Sequence, residues 1–491
     1  MFTSPQSNKA LPPASPANVA GARTYRVGTL VYTRRTLLQV MFWMLWGDFF
    51  FTLREALNPS LIPLQLRWAG AGDTLIGILG TSLPSAVAFF WFPVAGTQSD
   101  RHRGRLGRRR PFLLWCTPPV VLSLILLGAA KPSGAWVHKM LGVVGWAGST
   151  AAGCTIAWIG VCVLVFLVFN AYILQEYACL FVDVIPQEVM GRFLGLYRAI
   201  GALGSLVFNR WMLGWAEGYT FHIYCLIGLL YAAAFLLIVW RVKEGDYPPP
   251  SPKPAGGPVG AIKGFLRESF THRFYLNFYL VTFFSWASFV PLSFVIFFGT
   301  RAGRPDYAAT LGLTLQEFGQ VKGWTFLIQV PVFFIAGYFV DRFHPLRVAM
   351  LGMLLTSLSY FCCFWFIHSS STLLLWWGLT QAAFAIFMGA SATLAPKLFP
   401  RDKYGQFVSA NAIFGIISLV VAPPIVGLLM ESIRDYRYVF IFCGICTTIT
   451  FVACIALFLQ WRKLGGDLHY TPPNTDRGDP KPDFTGNPEL S

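Results

Sequence analysis

Apolar residues fall into twelve runs, each about as long as a membrane-crossing helix, and short polar segments separate them. The runs cover residues 36–61, 74–96, 111–130, 153–181, 193–213, 223–241, 274–299, 318–340, 347–367, 372–397, 406–429 and 437–461. A helix needs about 20 mostly apolar residues to cross a bilayer. The pattern therefore predicts an all-α, multi-pass integral membrane protein with twelve transmembrane helices, named spans 1 to 12 below.

Positive charge indicates the direction of these spans. The chain is 55% hydrophobic and has a formal net charge of +16. If both termini are cytoplasmic, 28 of the 38 lysines and arginines lie on the cytoplasmic side and 8 on the other. This asymmetry is typical of proteins inserted in a plasma (inner) membrane with that orientation. Because the charge is divided among short loops, it does not predict a nucleic-acid partner.

Two related motifs indicate that the twelve spans form two halves. G-x-x-x-D-R occurs at 96–101 after span 2 and at 337–342 after span 8, and P-x-x-x-x-G-x-F occurs at 186–193 and 400–407. The longest internal polar segment lies between spans 6 and 7 and is rich in proline and glycine, as linkers are. We therefore expect a disordered cytoplasmic N-terminal tail (1–35), a six-helix bundle (36–241), a cytoplasmic linker (242–273), a second bundle (274–462) and a cytoplasmic C-terminal tail (463–491).

The segment GTQSDRHRGRLGRRRPF after span 2 resembles the most specific motif of the major facilitator superfamily. The matching residues are Gly96, Asp100, Arg101, Arg105, Gly107, Arg108 and Arg109, with a degenerate copy at Gly337, Asp341 and Arg342. Within that superfamily the loop looks most like the glycoside–cation symporters and the relatives of the sucrose carriers. The resemblance implies two pseudo-symmetric bundles that rock around a central cavity lined by spans 1, 4, 7 and 10.

The same resemblance implies a gate at the cytoplasmic side. Asp100 would meet the N-terminus of span 11 near Gly405 when that side is closed, since a helix N-terminus attracts an anion. The arginines of the loop could pair with Asp183 at the end of span 4. The gating residues we expect are Gly96, Asp100, Arg101, Arg105, Arg108, Arg109, Asp183, Arg198, Asp341 and Arg342.

Three acidic residues lie deep inside apolar runs, where ionisable groups are costly and usually functional. Asp48 falls close to the bilayer midplane, and Glu55 is seven positions further on the same helix face. Arg54 points elsewhere and could pair with a neighbouring span. Asp48 is our candidate to carry a coupling proton or to bind Na⁺; the alternative is a permanent ion pair or interhelical hydrogen bond.

Glu176 is the third deep carboxylate. Its depth in span 4 matches that of Arg198 in span 5, which predicts a salt bridge between them. Trp46 and Trp286 fall near mid-membrane, where an indole could stack on a sugar ring or could simply pack. Gln175 and several other polar side chains could bind a polyol or join helices: Ser285, Ser288, Gln381, Ser391 and Thr393.

These features favour a secondary active transporter that works by alternating access, specifically an H⁺- or Na⁺-coupled symporter of a sugar or glycoside. A proton-coupled drug or metabolite exporter is the alternative, and a non-transporting membrane sensor is a weaker one. The chain contains no phosphate-binding loop, zinc-protease motif or serine-hydrolase motif, so we do not expect an enzyme. We expect a monomer whose partners are a small-molecule substrate, H⁺ or Na⁺ and the lipid bilayer, with no cofactor and no metal site.

Overall fold

A computed structural model describes residues 24–146, 148–247, 269–308, 310–400 and 403–473. Nearly all of this is helix. In the N-terminal half, span 1 is Arg34–Glu55, span 2 is Asp73–Arg101, span 3 is Arg110–Gly128, span 4 is Ala151–Val184, span 5 is Gln187–Val207 and span 6 is Ala216–Arg241. Two shorter helices, Leu61–Trp68 and Ala130–Val143, follow spans 1 and 3.

The C-terminal half repeats the arrangement. Span 7 consists of Arg273–Ala287 and Pro291–Gly299, span 8 is Leu315–Arg342, span 9 is Pro345–Phe366, span 10 is Ser370–Leu398, span 11 is Tyr404–Ile433 and span 12 is Tyr438–Lys463. A four-residue helix, Gly466–His469, follows span 12. The predicted all-α fold with two six-helix halves is confirmed.

Ten of the described helices are long and apolar enough to cross a membrane, which differs from the predicted twelve for two local reasons. Span 5 runs through a π-helical turn (Phe208–Met212) and a 3-10 turn (Leu213–Trp215) directly into span 6, so the two form one continuous run. Span 7 is interrupted at residues 288–290, and neither piece alone is long enough. The twelve predicted spans are therefore all present, but spans 5 and 6 form one continuous helical run and span 7 is broken into two pieces.

Polar residues at the loop ends fix where several spans begin. Thr314 and Ser369 accept hydrogen bonds from the backbone amides of the third residues of spans 8 and 10, and both helices carry the reciprocal bond. Thr150 caps span 4 in a simpler way, by accepting from the amide of Gly153. Each cap satisfies an amide that the first helical turn cannot pair internally.

Part of each tail is ordered, contrary to our prediction for the N-terminal one. Strands β1 (Tyr25–Val27) and β2 (Leu30–Tyr32) form an antiparallel hairpin ahead of span 1. The chain after span 12 packs back on its own half, because Tyr470 donates a hydrogen bond to the carbonyl of Leu398 at 2.7 Å. Residues 1–23, 248–268 and 474–491, which include most of the predicted linker and tails, lie outside the described residues.

The buried core is divided unequally between the two ends of the molecule. One apolar cluster joins the N-terminal half to the end of the C-terminal half that carries Phe297, Phe318, Met430 and Tyr436. A second cluster, around Phe399 and Trp461, contains residues of the C-terminal half alone. The two halves therefore share a core at one end and have separate cores at the other. We call the first end the sealed face and the second, where the loop 101–110 lies, the basic face.

Candidate functional site

Asp73 joins the two halves at the sealed face. This buried carboxylate begins span 2 and pairs with Arg67 of the same half. From the other half, the Tyr307 hydroxyl donates to Asp73 Oδ2 at 2.9 Å and the Tyr436 hydroxyl donates to Oδ1 at 3.2 Å. Arg67 also donates to the Tyr436 oxygen at 2.8 Å. A charged acceptor with donors from both halves holds this end closed.

Backbone contact extends the seal. A Cβ atom on Gly427 of span 11 would lie 2.5 Å from the Cα atom of Thr74, so only glycine allows this approach. The Thr74 amide donates to Glu431 at 3.0 Å, again from one half to the other. Lys322 of span 8 donates to the hydroxyl of Ser60 at 3.0 Å. Spans 2 and 11 thus pack directly against each other here, and span 8 contacts the segment between span 1 and the helix Leu61–Trp68.

At the basic face the start of span 11 makes no such close approach to span 2. Gly405, near the start of span 11, has no atom of another segment within 4 Å of the position of a Cβ. Asp100 does not reach it: the carboxylate is 58% exposed and pairs with Arg109 of its own loop, Nη2 to Oδ1 at 2.6 Å. The expected contact between Asp100 and span 11 belongs to a closed basic face, and this conformation has that face open.

The basic loop is held by ion pairs within the N-terminal half. Arg108 binds Asp183 through two nitrogens, at 2.5 and 3.1 Å, as the sequence predicted for this loop. Burial of Arg108 is the largest single influence and lowers the pKa of its guanidinium, but the hydrogen bond to Asp183 and the charge of that carboxylate together keep the pKa above its ordinary value. Glu244, after span 6, accepts from the backbone amides of Arg108, Arg109 and Arg110.

Gly107 is required where Glu244 approaches the loop. Its φ of +97° lies in the left-handed region that side chains avoid, and a Cβ there would meet the Glu244 carboxylate at 2.7 Å. This explains the glycine of the G-R-R run in structural terms.

Arg109, not Arg198, pairs with Glu176, which corrects our prediction. Arg109 Nη1 lies 3.2 Å from Glu176 Oε2, and its Nε lies 3.3 Å from Asp183. Arg198 is exposed on span 5, and the carboxylate on which its charge acts is Asp48. Equal depth along two helices does not ensure that two side chains face each other, and the loop supplies a nearer cation.

The remaining expected gate residues take little part in this conformation. Arg101 and Arg105 are exposed. Gly96 lies beside Gln175, whose amide nitrogen would be 3.4 Å from a Cβ at that position. In the second copy of the motif, Arg342 is exposed and donates to the Tyr338 hydroxyl at 3.3 Å, and the side chain of Asp341 lies outside the described residues.

A cavity of about 270 Å³ lies between the halves beneath the sealed face. Its polar and charged lining residues are Glu55, Ser205 and Asn209 of the N-terminal half and Ser288, Lys322, Gln329, Tyr360 and Gln381 of the C-terminal half. Aromatic walls come from Phe289, Phe326, Phe333, Trp377 and Phe384. A concave, mostly apolar space with a few polar groups is typical of a small-molecule site.

The sequence identified one of the charged lining residues and passed over the other. Glu55 lines the cavity as expected. Arg54, which we expected to pair with a neighbouring span, pairs with Glu55 instead. Arg54 itself is buried among aromatic rings of spans 1, 4 and 6, with its guanidinium carbon 4.7 Å from the centre of the Phe51 ring. Lys322 was not among the expected site residues, although its position within the apolar run of span 8 was a signal for it.

Asp48 is buried but lies outside the cavity lining. Only 1% of the residue is exposed, and it lies on span 1 against span 5. Its Oδ1 is 3.5 Å from the Thr52 hydroxyl. Its Oδ2 has no partner within 3.5 Å among the described residues, and Tyr197 of span 5 is the neighbouring hydroxyl. A buried carboxylate oxygen without a partner is costly, so this group is poised to bind a proton or a cation.

The three remaining candidates are also outside the cavity lining. Trp46 packs edge-on against Phe50, with ring centres 4.9 Å apart. Trp286 lies beside Gly415 of span 11 and is 5.5 Å from Phe289, which does line the cavity. Gln175 contacts Cys179 on its own helix at 3.5 Å. Trp286 is thus one residue removed from the cavity, while Trp46 and Gln175 pack elsewhere.

Comparisons with known proteins agree with this architecture. The family model described as Major Facilitator Superfamily matches residues 292–484. Among solved structures, a variant of the nucleoside transporter NupG has a TM-score of 0.63 at 13% identity and covers 86% of this chain and 100% of its own. The chain has the major facilitator fold. No curated protein matches the sequence.

Two further structures have the same fold in a conformation open on one side. A bacterial homologue of the iron transporter ferroportin, described as inward-facing, has a TM-score of 0.61 at 13% identity and covers 86% of this chain and 99% of its own. The xylose transporter XylE from E. coli, described as inward open, has a TM-score of 0.58 at 12% identity, with 86% and 95% covered.

Proposed function

We propose that this protein is a secondary active transporter of the major facilitator superfamily that carries a small polar solute by alternating access. The observation that carries the proposal is the cavity between the halves, lined by polar groups of both and placed beneath a seal. A solute bound there contacts both halves, so it can favour one relative position over another. The charge asymmetry supports cytoplasmic termini, which makes the basic face cytoplasmic and this conformation inward-facing.

A sugar or glycoside is the substrate class that the lining favours. Asparagine and glutamine amides and a tyrosine hydroxyl bind hydroxyl groups, and Trp377 offers an aromatic face for C–H groups. The names of two structural neighbours mention a nucleoside and xylose, which both contain a five-carbon sugar unit. The cavity volume of about 270 Å³ suits a solute of monosaccharide size better than a long oligosaccharide.

Ion coupling is assigned to Asp48. It is a buried carboxylate on the first span, seven residues from Glu55 in the cavity. The basic loop supplies the gate in this proposal. When the basic face closes, Asp100 exchanges part of its contact with Arg109 for the amides at the start of span 11, which stabilises the outward-open state.

The experiment is uptake into proteoliposomes across a panel of radiolabelled sugars, with and without imposed H⁺ and Na⁺ gradients. Asp48→Asn should abolish uphill accumulation and leave exchange across the membrane measurable, since exchange moves no net ion. Asp467→Asn, a half-exposed carboxylate beyond span 12, is the control and should transport as the wild type does. An Asp48→Asn protein that still concentrates solute contradicts this assignment, and Glu55 is then the next candidate.

Export of an amphipathic compound is the second candidate, favoured by the four phenylalanines of the cavity wall. The two functions differ in direction. A proton gradient that is acidic outside drives a symported sugar inward, whereas it drives an exported compound outward. The sign of proton-driven flux in vesicles of known orientation therefore distinguishes them.

A further inference from the structure

Lys322 is an intramembrane cation without a described counter-ion. It lies on span 8, lines the cavity and is 8% exposed. Its one described hydrogen bond is to the Ser60 hydroxyl at 3.0 Å, and an ammonium group has three protons to donate. No carboxylate of the described residues lies within ion-pair distance of its nitrogen. A buried ammonium in this state is expensive unless something compensates for its charge.

The neighbouring carboxylate does not neutralise it. Glu55 shares the cavity, but Arg54 holds one of its oxygens, and the pair is close to neutral as a unit. Glu55 and Lys322 are the charged residues of the lining, so the cavity carries about one uncompensated positive charge. That charge lies on the C-terminal half, against the seal.

A second group in the cavity also lacks a partner. Asn209, 1% exposed, donates to the carbonyl of Ser205 at 2.8 Å, while its side-chain oxygen has no partner among the described residues. An unpaired buried acceptor requires a donor such as a hydroxyl group. Gln329 and Gln381 offer further amides on the opposite wall. The cavity thus presents one cation for an anion and separate groups for hydroxyls.

We propose that the transported solute is a small hydroxylated acid whose single carboxylate binds Lys322. This rests on the proposed function and names its substrate class. A monoanion balances the one free charge, whereas a phosphate monoester would bring a second negative charge next to Glu55. Lys322 also donates to Ser60 of the other half. A solute carboxylate that replaces Ser60 as the acceptor weakens the seal, and this links solute binding to opening.

The test is uptake of matched acid and neutral solutes into proteoliposomes: glucuronate with glucose, galacturonate with galactose, and gluconate with sorbitol. The wild type should take up the acid of at least one pair about tenfold faster than its neutral partner. Lys322→Gln should lose that preference, and Lys322→Arg, which keeps the charge, should retain it. Lys397→Gln, an exposed lysine at the basic-face end of span 10, is the matched control and should behave as the wild type.

Thermal unfolding of the same variants tests whether the lysine is merely structural. Removing an uncompensated buried charge should leave the unfolding midpoint of Lys322→Gln equal to or above that of the wild type. A lower midpoint makes the lysine a structural residue and overturns the proposal, as does acid uptake that survives Lys322→Gln. Uptake of neutral solutes alone agrees with the proposed transport function but contradicts the acid substrate. No uptake of either class contradicts both proposals.

Discussion

The two faces of the molecule use charge in opposite ways. At the sealed face, Asp73 accepts from Tyr307 and Tyr436, so its bonds cross between the halves. At the basic face, the carboxylates of Asp100, Glu176 and Asp183 gather around Arg108 and Arg109, which belong to the same half. The described ion pairs of the basic loop contribute nothing to contact between the halves in this conformation.

The difference shows which bonds must break during transport. Opening the sealed face separates Asp73 from its tyrosines and Thr74 from Glu431. The pairs of Arg108 and Arg109 with Asp183 and Glu176 can stay intact throughout the cycle, because these residues belong to one half and move together. Asp100 is the member of the network whose contact changes when the basic face closes. We therefore expect substitutions at the basic network to change stability, and those at the sealed face to change the balance between conformations.

The largest effect should follow Arg109→Gln. It leaves the fully buried Glu176 and its two neighbouring carboxylates short of a cation, and breaking a buried pair from one side costs about 3–5 kcal/mol. Arg109→Lys should not restore stability, since one ammonium lacks the planar fork that spans several carboxylates. The thermal unfolding midpoint in detergent measures both.

Arg347→Gln is the control for that substitution. Its partner Asp467 and the arginine itself are both about half exposed, and exposed pairs contribute at most ~1 kcal/mol. Adding Glu176→Gln to Arg109→Gln should recover part of the loss. Equal midpoints for Arg109→Gln and Arg347→Gln would show that the basic network does not support the fold.

An intermediate effect is expected for Asp73→Asn, which removes the charge that its donors share. A hydrogen bond to a charged group is worth about 1.5–3 kcal/mol, so the equilibrium should shift toward an open sealed face by roughly tenfold to a hundredfold. The measurement is alkylation of Ala56→Cys, which lines the cavity, in a chain without its native cysteines. The impermeant reagent is applied from the sealed face only.

Asp435→Asn is the matched control. This buried carboxylate lies at the same face but pairs with Arg437, two residues away in the same half, at 2.7 Å. Its loss should leave the alkylation rate unchanged. Similar acceleration by both substitutions would mean that any lost charge loosens this face, and Asp73 would have no special part.

The smallest effect concerns pH at the basic face. Burial, and then the nearby Lys397, lower the pKa of His344 from 6.5 to about 4. Its ring stacks on Trp461 with centres 4.1 Å apart, and its Nδ1 accepts from the Leu346 amide at 3.3 Å. Asp467 raises the pKa of His344 but does not reverse the shift, and Arg347 lowers that pKa further.

The unfolded chain takes up this proton near pH 6.5 and the folded chain only near pH 4, so stability falls as pH drops through that window. We expect a loss of roughly a few degrees in the unfolding midpoint between pH 7.5 and pH 4.5. His344→Asn keeps a capping acceptor that does not titrate and should show a shallower decline. An identical decline in both proteins would assign the pH dependence to other groups.

The sequence was sufficient for the helical architecture because spanning length and loop charge are local properties. It did not predict the break in span 7 at residues 288–290 or the direct passage from span 5 into span 6, since both depend on neighbouring helices. The hairpin ahead of span 1 was missed for a different reason. Its strands pair with each other over only three residues, which leaves little periodic signal.

The site was predicted less well than the fold. Glu55 lines the cavity and Arg108 binds Asp183 as expected, because a helix face and a loop position follow from spacing. Glu176 was assigned the wrong arginine, since depth along a helix says nothing of which way a neighbouring helix is rotated. Lys322 was not predicted as a site residue, because its place in the cavity depends on how the two halves meet.

The break in span 7 gives that helix two mechanical attachments. Its second piece, Pro291–Gly299, carries Ser293, which bonds to Thr81 of the other half at 3.0 Å. Its first piece, Arg273–Ala287, carries Ser285 and Phe283, and the Phe283 carbonyl accepts from Ser418 of span 11 in the same half. An unbroken rod would transmit any displacement of one end to the other. Here, residues 288–290 can absorb the rotation next to the cavity. The second piece can therefore tilt with the sealed face while the first piece stays packed against span 11.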